Sequence, residues 1–174
     1  MTVVPAGSAA RGRAVRWAML GTVAVVLAAD QISKSLVLGL GLHPAAGAGL
    51  VSVRLVRNTG ASGGIAAGYP VLVTLAAVAI AAVAGTFAVR ARSRAVAICL
   101  AAVLGGALGN LSDRLFRSPG LGRGAVVDWI HVAGRGGSFN ISDTAIQLGA
   151  IAAVVAMFAA DRARVRRPDK SWSK

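Results

Sequence analysis

Four long apolar segments separated by short clusters of arginine constrain this chain more than any other feature. They cover residues 17–38, 69–89, 95–112 and the stretch from Asp143 to Asp161. A helix needs about 20 apolar residues to cross the hydrocarbon of a bilayer. Each segment meets that length, the last two narrowly. The composition agrees: 56% of residues are hydrophobic and 14% charged, with a mean hydropathy of +0.69. Soluble domains carry about 25% charged residues, so a water-soluble domain is excluded. Disorder is excluded too, because it needs low hydrophobicity. Cys99 is the single cysteine, which rules out a disulfide scaffold. Two histidines and one cysteine, widely spaced, cannot furnish the four ligands of a structural zinc site, and no metal site is expected.

The basic residues give the orientation. Net charge is +13, with nineteen Lys and Arg against six Asp and no Glu. Nucleic-acid binding needs a basic face on a soluble fold, whereas these residues sit in clusters between apolar runs. Arg11, Arg13 and Arg16 precede the first segment. Arg90, Arg92 and Arg94 join the second to the third. Arg162, Arg164, Arg166, Arg167, Lys170 and Lys174 follow the fourth. Those twelve of nineteen fall on one side, which the positive-inside rule makes cytoplasmic. Both termini are then cytoplasmic, and residues 39–68 and 116–140 lie outside. A cleaved signal peptide is not expected at the N-terminus, because the apolar character runs past Asp30 to Leu42. The chain divides into a cytoplasmic segment (1–16), a four-span unit (17–160) and a basic tail (161–174). The first dozen residues and the tail after Asp161 are expected to fray. Val51, Val53 and Leu55 alternate, which predicts a short strand over 51–57. A second is expected over 125–130.

The acidic residues carry the chemistry. Ionisable groups in or beside a bilayer are costly and mark function. Asp30, Asp113, Asp128 and Asp143 all fall at the outer ends of spans or in the outer loop, while Asp161 and Asp169 sit in the basic tail. Asp30 and Lys34 are four apart, hence on one helix face, and suit a buried ion pair. Asn110, Asp113 and Arg114 end the third span, below Gly105 and Gly109, whose spacing suits close helix packing. Asp128 lies alone in the apolar run Val126-Val127-Asp128-Trp129-Ile130, where desolvation favours its neutral form. Asn140-Ile141-Ser142-Asp143 opens the fourth span. Asn is a good N-cap, and a helix start favours a carboxylate in its first turn. Two carboxyls in such unlike settings make an acid–base pair. The sequence leaves open which holds the proton.

These residues fall in five runs: Asp30-Gln31-Ile32-Ser33-Lys34, Asn58-Thr59-Gly60-Ala61, Gly105 to Arg114, Val126 to Ile130, and Phe139 to Asp143. In order and spacing they resemble the lipoprotein (type II) signal peptidases of bacteria, over roughly residues 17–160. Members usually carry an aromatic residue where Gly63 stands, and often Ala and Ser where Ser142 and Thr144 flank Asp143. The resemblance implies an all-α membrane protein of four transmembrane helices with a small β-sheet cradle and a short helix on the outer face. It implies an aspartic endopeptidase of the plasma membrane, with its active site at the outer face. Such an enzyme removes the signal peptide from diacylglyceryl-prolipoproteins without metal or organic cofactor. Asp128 and Asp143 match the catalytic pair. Asn58, Gly60, Asn110 and Asn140 would hold the substrate backbone. Arg114 with Asp113 would orient the lipid head region or the dyad, and Asp30 with Lys34 would support the helix packing. The partners implied are the lipidated precursor and membrane lipid, with no nucleic acid, and the enzyme is expected as a monomer.

Three rival readings have some sequence support. Gly60-Ala61-Ser62-Gly63 satisfies the GxSG pattern of rhomboid-like serine proteases, with His131 as base. Intramembrane carboxylates also occur in small proton-coupled transporters, although these bind near the midplane and no internal repeat is visible here. Ser33 and Lys34 are adjacent as a Ser/Lys dyad would be, yet neighbours on a helix do not face each other.

Overall fold

The computed structural model describes residues 6–41, 49–61, 64–134 and 136–165, with side chains from Gly12 to Arg162. Ser62, Gly63, Arg11 and the basic residues from Arg164 onward, on which some of the expectations above rest, lie outside the described side chains. Four helices dominate: α1 (Ala6–Gly39), α2 (Pro70–Arg90), α3 (Arg94–Phe116) and α4 (Ile141–Val165). All four contain stretches long and apolar enough to cross a membrane. At about 1.5 Å per residue, the 21 residues of α2 reach roughly the 30 Å of a hydrocarbon core. Pro70 opens α2 at a position where its missing N–H costs nothing. Apolar side chains such as Leu72, Leu75, Phe87, Ile151 and Phe158 face outward, as lipid-facing residues must.

The termini correct one expectation. Where fraying was expected over the first dozen residues and after Asp161, α1 is already helical from Ala6 and α4 continues to Val165, while residues 1–5 and 166–174 lie outside the described residues. A helix need not stop where hydrocarbon does, because its backbone bonds continue into the interfacial water.

The central helix is α3. It packs against α1, α2 and α4, and 44% of its span is buried against 22% for α2. Glycine makes this possible. A Cβ on Gly105 would meet Val23 and Val26 of α1, one on Gly106 would meet Ser142 and Ile146 of α4, and one on Gly109 would meet Asp30 and Ser142. The expected Gly105/Gly109 contact surface is therefore real, and Gly106 extends it to a second helix. In lipid, where no hydrophobic effect draws helices together, such close backbone approach supplies the dispersion contact.

A three-stranded antiparallel sheet caps one end of the bundle: β1 (Val51–Asn58), β2 (Val126–Val132) and β3 (Ser138–Phe139), in that order. The strands at 51–57 and 125–130 appear close to where they were expected, while β3 is too short to read from sequence. The simple alternation in β1 does not hold. A bulge between Val53 and Val56 brings Val56 opposite Asp128, and Val51, Arg54 and Arg57 are the exposed positions. An extra residue in one strand bends it and shifts which side chains face inward. Between β1 and α2, backbone bonds from Gly64 to Ala61, Ala67 to Gly64 and Tyr69 to Ala66 form successive three-residue turns. The short outer helix that the resemblance implies is not among the described elements; the described part of this segment is a run of turns.

The α3–α4 seam gives a direct test. The ideal Cβ of an alanine at 106 would stand 2.5 Å from the Ser142 carbonyl oxygen and 2.9 Å from Ile146. Gly106→Ala should lower stability by about 2 kcal/mol, as overpacking does. Gly85→Ala, whose Cβ would meet only Leu104 at 3.6 Å, should leave the thermal midpoint in detergent unchanged. Equal midpoints for the two variants would contradict the packing.

Candidate active site

At the sheet-capped end, the buried ammonium of Lys34 organises the interior. Lys34 is fully buried, and its ammonium has three donors to place. It donates to Asp30 Oδ2 at 2.7 Å, Asp113 Oδ2 at 2.8 Å and Asn110 Oδ1 at 3.2 Å. The i,i+4 pairing of Asp30 with Lys34 is thus confirmed, and Asp113 joins it from α3. Each carboxylate then reaches further. Asp30 Oδ1 accepts the Ser142 backbone N–H at 3.0 Å, at the start of α4. Asp113 Oδ2 accepts the Val127 N–H at 3.1 Å, in β2. Gln31 donates to both carboxylates and to the Gly109 carbonyl. Arg117 pairs with Asp113 at 2.6 Å. Neither Gln31 nor Arg117 was singled out from sequence as a site residue, although the spacing of Asp113 and Arg117 was a usable signal.

Asp113 and Arg114 hydrogen-bond to different neighbours. Asp113 faces α1 and β2, while Arg114 donates to the Gly60 carbonyl at 2.5 Å and to that of Thr59 at 3.4 Å. Adjacent helical residues diverge by about 100°, so each serves a different neighbour. Arg114 fixes the turn after β1. Gly60 fits that turn because a Cβ there would meet the Ile65 carbonyl oxygen at 2.5 Å.

Asn140 caps α4 as its sequence position implied. Its Oδ1 accepts the Asp143 N–H at 2.8 Å, and Asp143 Oδ2 accepts the Asn140 N–H at 3.2 Å. This reciprocal box leaves Asp143 Oδ1 to accept from Asn110 Nδ2 at 2.8 Å. The same Asn140 donates through Nδ2 to Asp128 Oδ1 at 2.7 Å and to Asn110 Oδ1 at 3.1 Å. Asn58 donates to Asp128 Oδ2 at 3.0 Å and accepts from the Gly60 N–H at 2.9 Å. The sequence-expected residues Asn58, Asn110, Asp128, Asn140 and Asp143 therefore form one network, with Asn140 touching both acids. Asp30, Lys34 and Asp113 stand behind it, linked through Asn110.

Both acids line a cavity of about 310 Å³, with Asn58, Gly60, Asn110 and Arg114 also on its wall. α2 supplies Val73, Ala76, Ala77 and Ile80 to the same wall. Sequence reasoning missed that side, because alanine and valine in a span carry no signal beyond hydropathy. Asp128 is 2% exposed. Desolvation, reinforced by the neighbouring Asp143 carboxyl, pushes it up to about 6 against the opposing amides of Asn58 and Asn140. It therefore keeps its proton well above the ordinary carboxylate range.

Of the rival residues, those described do not line the cavity. His131 is three positions from Asp128 on the same strand, hence on the opposite face, and its Nδ1 contacts the Gly137 carbonyl. Ser33 donates back to the Asp30 carbonyl, and Lys34 has its three protons engaged. Among the described residues, no group of His, Cys, Asp and Glu is arranged to hold a metal ion.

Four spans, a capping sheet and two carboxyls facing one cavity, Asp128 buried and Asp143 half-buried, describe a membrane-embedded protein with a candidate acid–base site. Comparison with known proteins narrows this. Residues 22–159 match the family model described as signal peptidase (SPase) II. A lipoprotein signal peptidase of Rhodococcus jostii is 44% identical over 75% of this chain and 67% of its own. One from Streptomyces griseus is 38% identical over 87% and 78%, respectively. A bacterial membrane enzyme solved in meso at 2.3 Å superposes with a TM-score of 0.70, at 21% identity, over 90% of this chain and 94% of its own. The chain belongs to the signal peptidase II family, and is a multi-span membrane protease.

The site's electrostatics predict a titration. Asp128 followed by its infrared carbonyl band should have a midpoint near 6. Asn58→Ala removes a donor that favours the charged form, and should raise the midpoint by about one unit. A midpoint near 4 in the parent protein would contradict the buried setting.

Proposed function

We propose that Asp128 and Asp143 are the catalytic dyad of a prolipoprotein signal peptidase, cutting on the N-terminal side of a diacylglyceryl-modified Cys. The observation that carries this is the pair of carboxyls, Asp128 buried and Asp143 half-buried, bridged by Asn140 and open to one cavity. The raised titration of Asp128 supports its role as the proton holder. Asp143 takes a proton from a water between the two acids, and that water attacks the scissile carbonyl carbon. Asp128 donates its proton to the carbonyl oxygen. Collapse of the tetrahedral intermediate breaks the C–N bond: the proton taken by Asp143 goes to the departing amine, and one hydroxyl of the intermediate returns its proton to Asp128 as the product carboxyl forms. Two like carboxyls share one proton because both cannot ionise at short range.

Asn58, Asn110 and Asn140 fix the two carboxyls, and Gly60 and Arg114 shape the cavity wall. Extended substrate backbone lies along this wall. Residues 17–160 form the peptidase unit, between the segment 1–16 and the tail 161–174. The dyad is assembled within one chain, which supports a monomeric enzyme. The split of basic residues supports cytoplasmic termini and an outer-facing site. There the acyl chains of the substrate lie in the bilayer while the peptide leaves it. Because unbound substrate already resides in the membrane, acyl burial adds little to affinity. The lipid instead sets the height of the scissile bond, a positional selection. The transporter and rhomboid-like alternatives lose ground because the acids gather at one end and His131 faces away from them.

A gel-shift assay with a diacylated model prolipoprotein tests the reaction. Asp128→Asn and Asp143→Asn should each lower cleavage by at least about 10²–10⁴-fold, with helix content unchanged. Ser62→Ala, His131→Ala and Cys99→Ala should retain most activity. Near-parental turnover in either Asp variant removes that residue from the dyad. A reporter in the turn at Arg92 should read as cytoplasmic and one near Gly120 as external. The reverse assignment would place the dyad on the wrong side for exported substrates.

A further inference from the structure

At the end of the bundle away from the dyad, a second groove opens between α2 and α4. Its volume is about 750 Å³, within the 300–1,000 Å³ typical of ligand sites. Val96 of α3 lies on its floor. Phe87 of α2 and Met157 and Phe158 of α4 line its sides, and these three are exposed by 62%, 59% and 67%. Both α2 and α4 lean on α3, and the space between them is left unfilled by the protein.

Apolar walls alone would accept any lipid tail, so the charges at the mouth decide the occupant. Arg90 ends α2 and Arg92 lies in the turn that follows, and both line the groove. Neither has an ion pair or side-chain hydrogen bond among the described residues. The lining holds one acid, Asp161, with Arg162 next to it in sequence. An occupant must therefore combine an apolar chain with an anionic group at the membrane edge. A signal-peptide helix fits the walls, but its basic start would meet Arg90 and Arg92 with like charge. An anionic phospholipid satisfies both walls and mouth, and basic recesses between spans suit such headgroups.

We propose that this groove binds one anionic phospholipid, its phosphate at Arg90 and Arg92 and an acyl chain between Phe87 and Phe158. With the orientation given under Proposed function, this lipid belongs to the inner leaflet, on the opposite side of the bilayer from the cleavage chemistry.

Native mass spectrometry of the detergent-purified protein tests this, using an anionic and a zwitterionic phospholipid with identical acyl chains. One anionic lipid should be retained per protein, in clear preference to the zwitterionic one. Arg90→Ala with Arg92→Ala should weaken that retention by about fivefold per arginine. Arg94→Ala, at a neighbouring position that does not line the groove, should leave it unchanged. Ala160→Trp, which fills the groove, should reduce retention of both lipids. Unchanged cleavage of lipidated precursor in detergent by each variant shows an intact fold. Equal retention of the two lipids, parental retention by the double arginine variant, or an equal loss in Arg94→Ala would overturn the proposal. So would displacement of the lipid by an equimolar synthetic apolar helix with a basic start, because the groove would then be a peptide site.

Discussion

The buried ammonium of Lys34 is the interaction on which the rest of this molecule depends. It holds Asp30 of its own helix and Asp113 of α3, and those carboxylates in turn accept the backbone N–H groups of Ser142 and Val127. Ser142 and Val127 each directly precede one of the two acids that face the cavity. One charge thus sets both where α4 begins and where β2 sits, through bonds to main chain rather than to mobile side chains. The arrangement is stable only as a unit. Without their cation, two buried carboxylates face a desolvation cost that Arg117, Gln31 and two backbone N–H groups offset only in part, and Lys34 without either carboxylate is an uncompensated charge.

The second constraint is the closeness that glycine allows. Gly105, Gly106 and Gly109 bring the backbone of α3 against α1 and α4, so that short side chains such as Asp30 and Asn110 can reach across. A larger residue at 109 would occupy the place of Asp30 and Ser142. Packing, ion cluster and the placement of Asp128 and Asp143 are therefore stages of one construction. Glycine contacts bring the helices close, the cluster fixes their register, and the asparagines fix the carboxyls. Asn140 is the last link, serving at once as helix cap and as donor to Asp128.

Much of this was legible in the sequence, and the limits are physical. The four spans could be read because hydrocarbon imposes a length and a composition. Asp128 stood out because an acid in an apolar run must have a reason to be there, Asp143 because it follows an Asn cap in the first turn of a span, and the Asp30 and Lys34 spacing specified its own contact. The helix ends were less legible, since α1 and α4 run on beyond their apolar stretches into residues that hydropathy does not mark. The bulge in β1 was hidden because alternation in sequence assumes an unbroken register. Arg114 was assigned with Asp113, and only the three-dimensional path of the turn at Thr59 and Gly60 shows that it serves a different neighbour. The α2 wall of the cavity was invisible for a simpler reason: apolar side chains facing a cavity look the same in sequence as those facing lipid.

The central claim is that Lys34 builds the site without touching the substrate. The most direct measurement is the thermal stability and single-turnover cleavage of Lys34→Met, made together on protein purified in the same detergent. The account predicts a loss of about 3–5 kcal/mol of stability together with a large fall in the cleavage rate, even at a temperature where the variant remains folded. A Lys34→Met protein that keeps parental stability and cleaves lipidated precursor at the parental rate would show that Asp128 and Asp143 are held by something else.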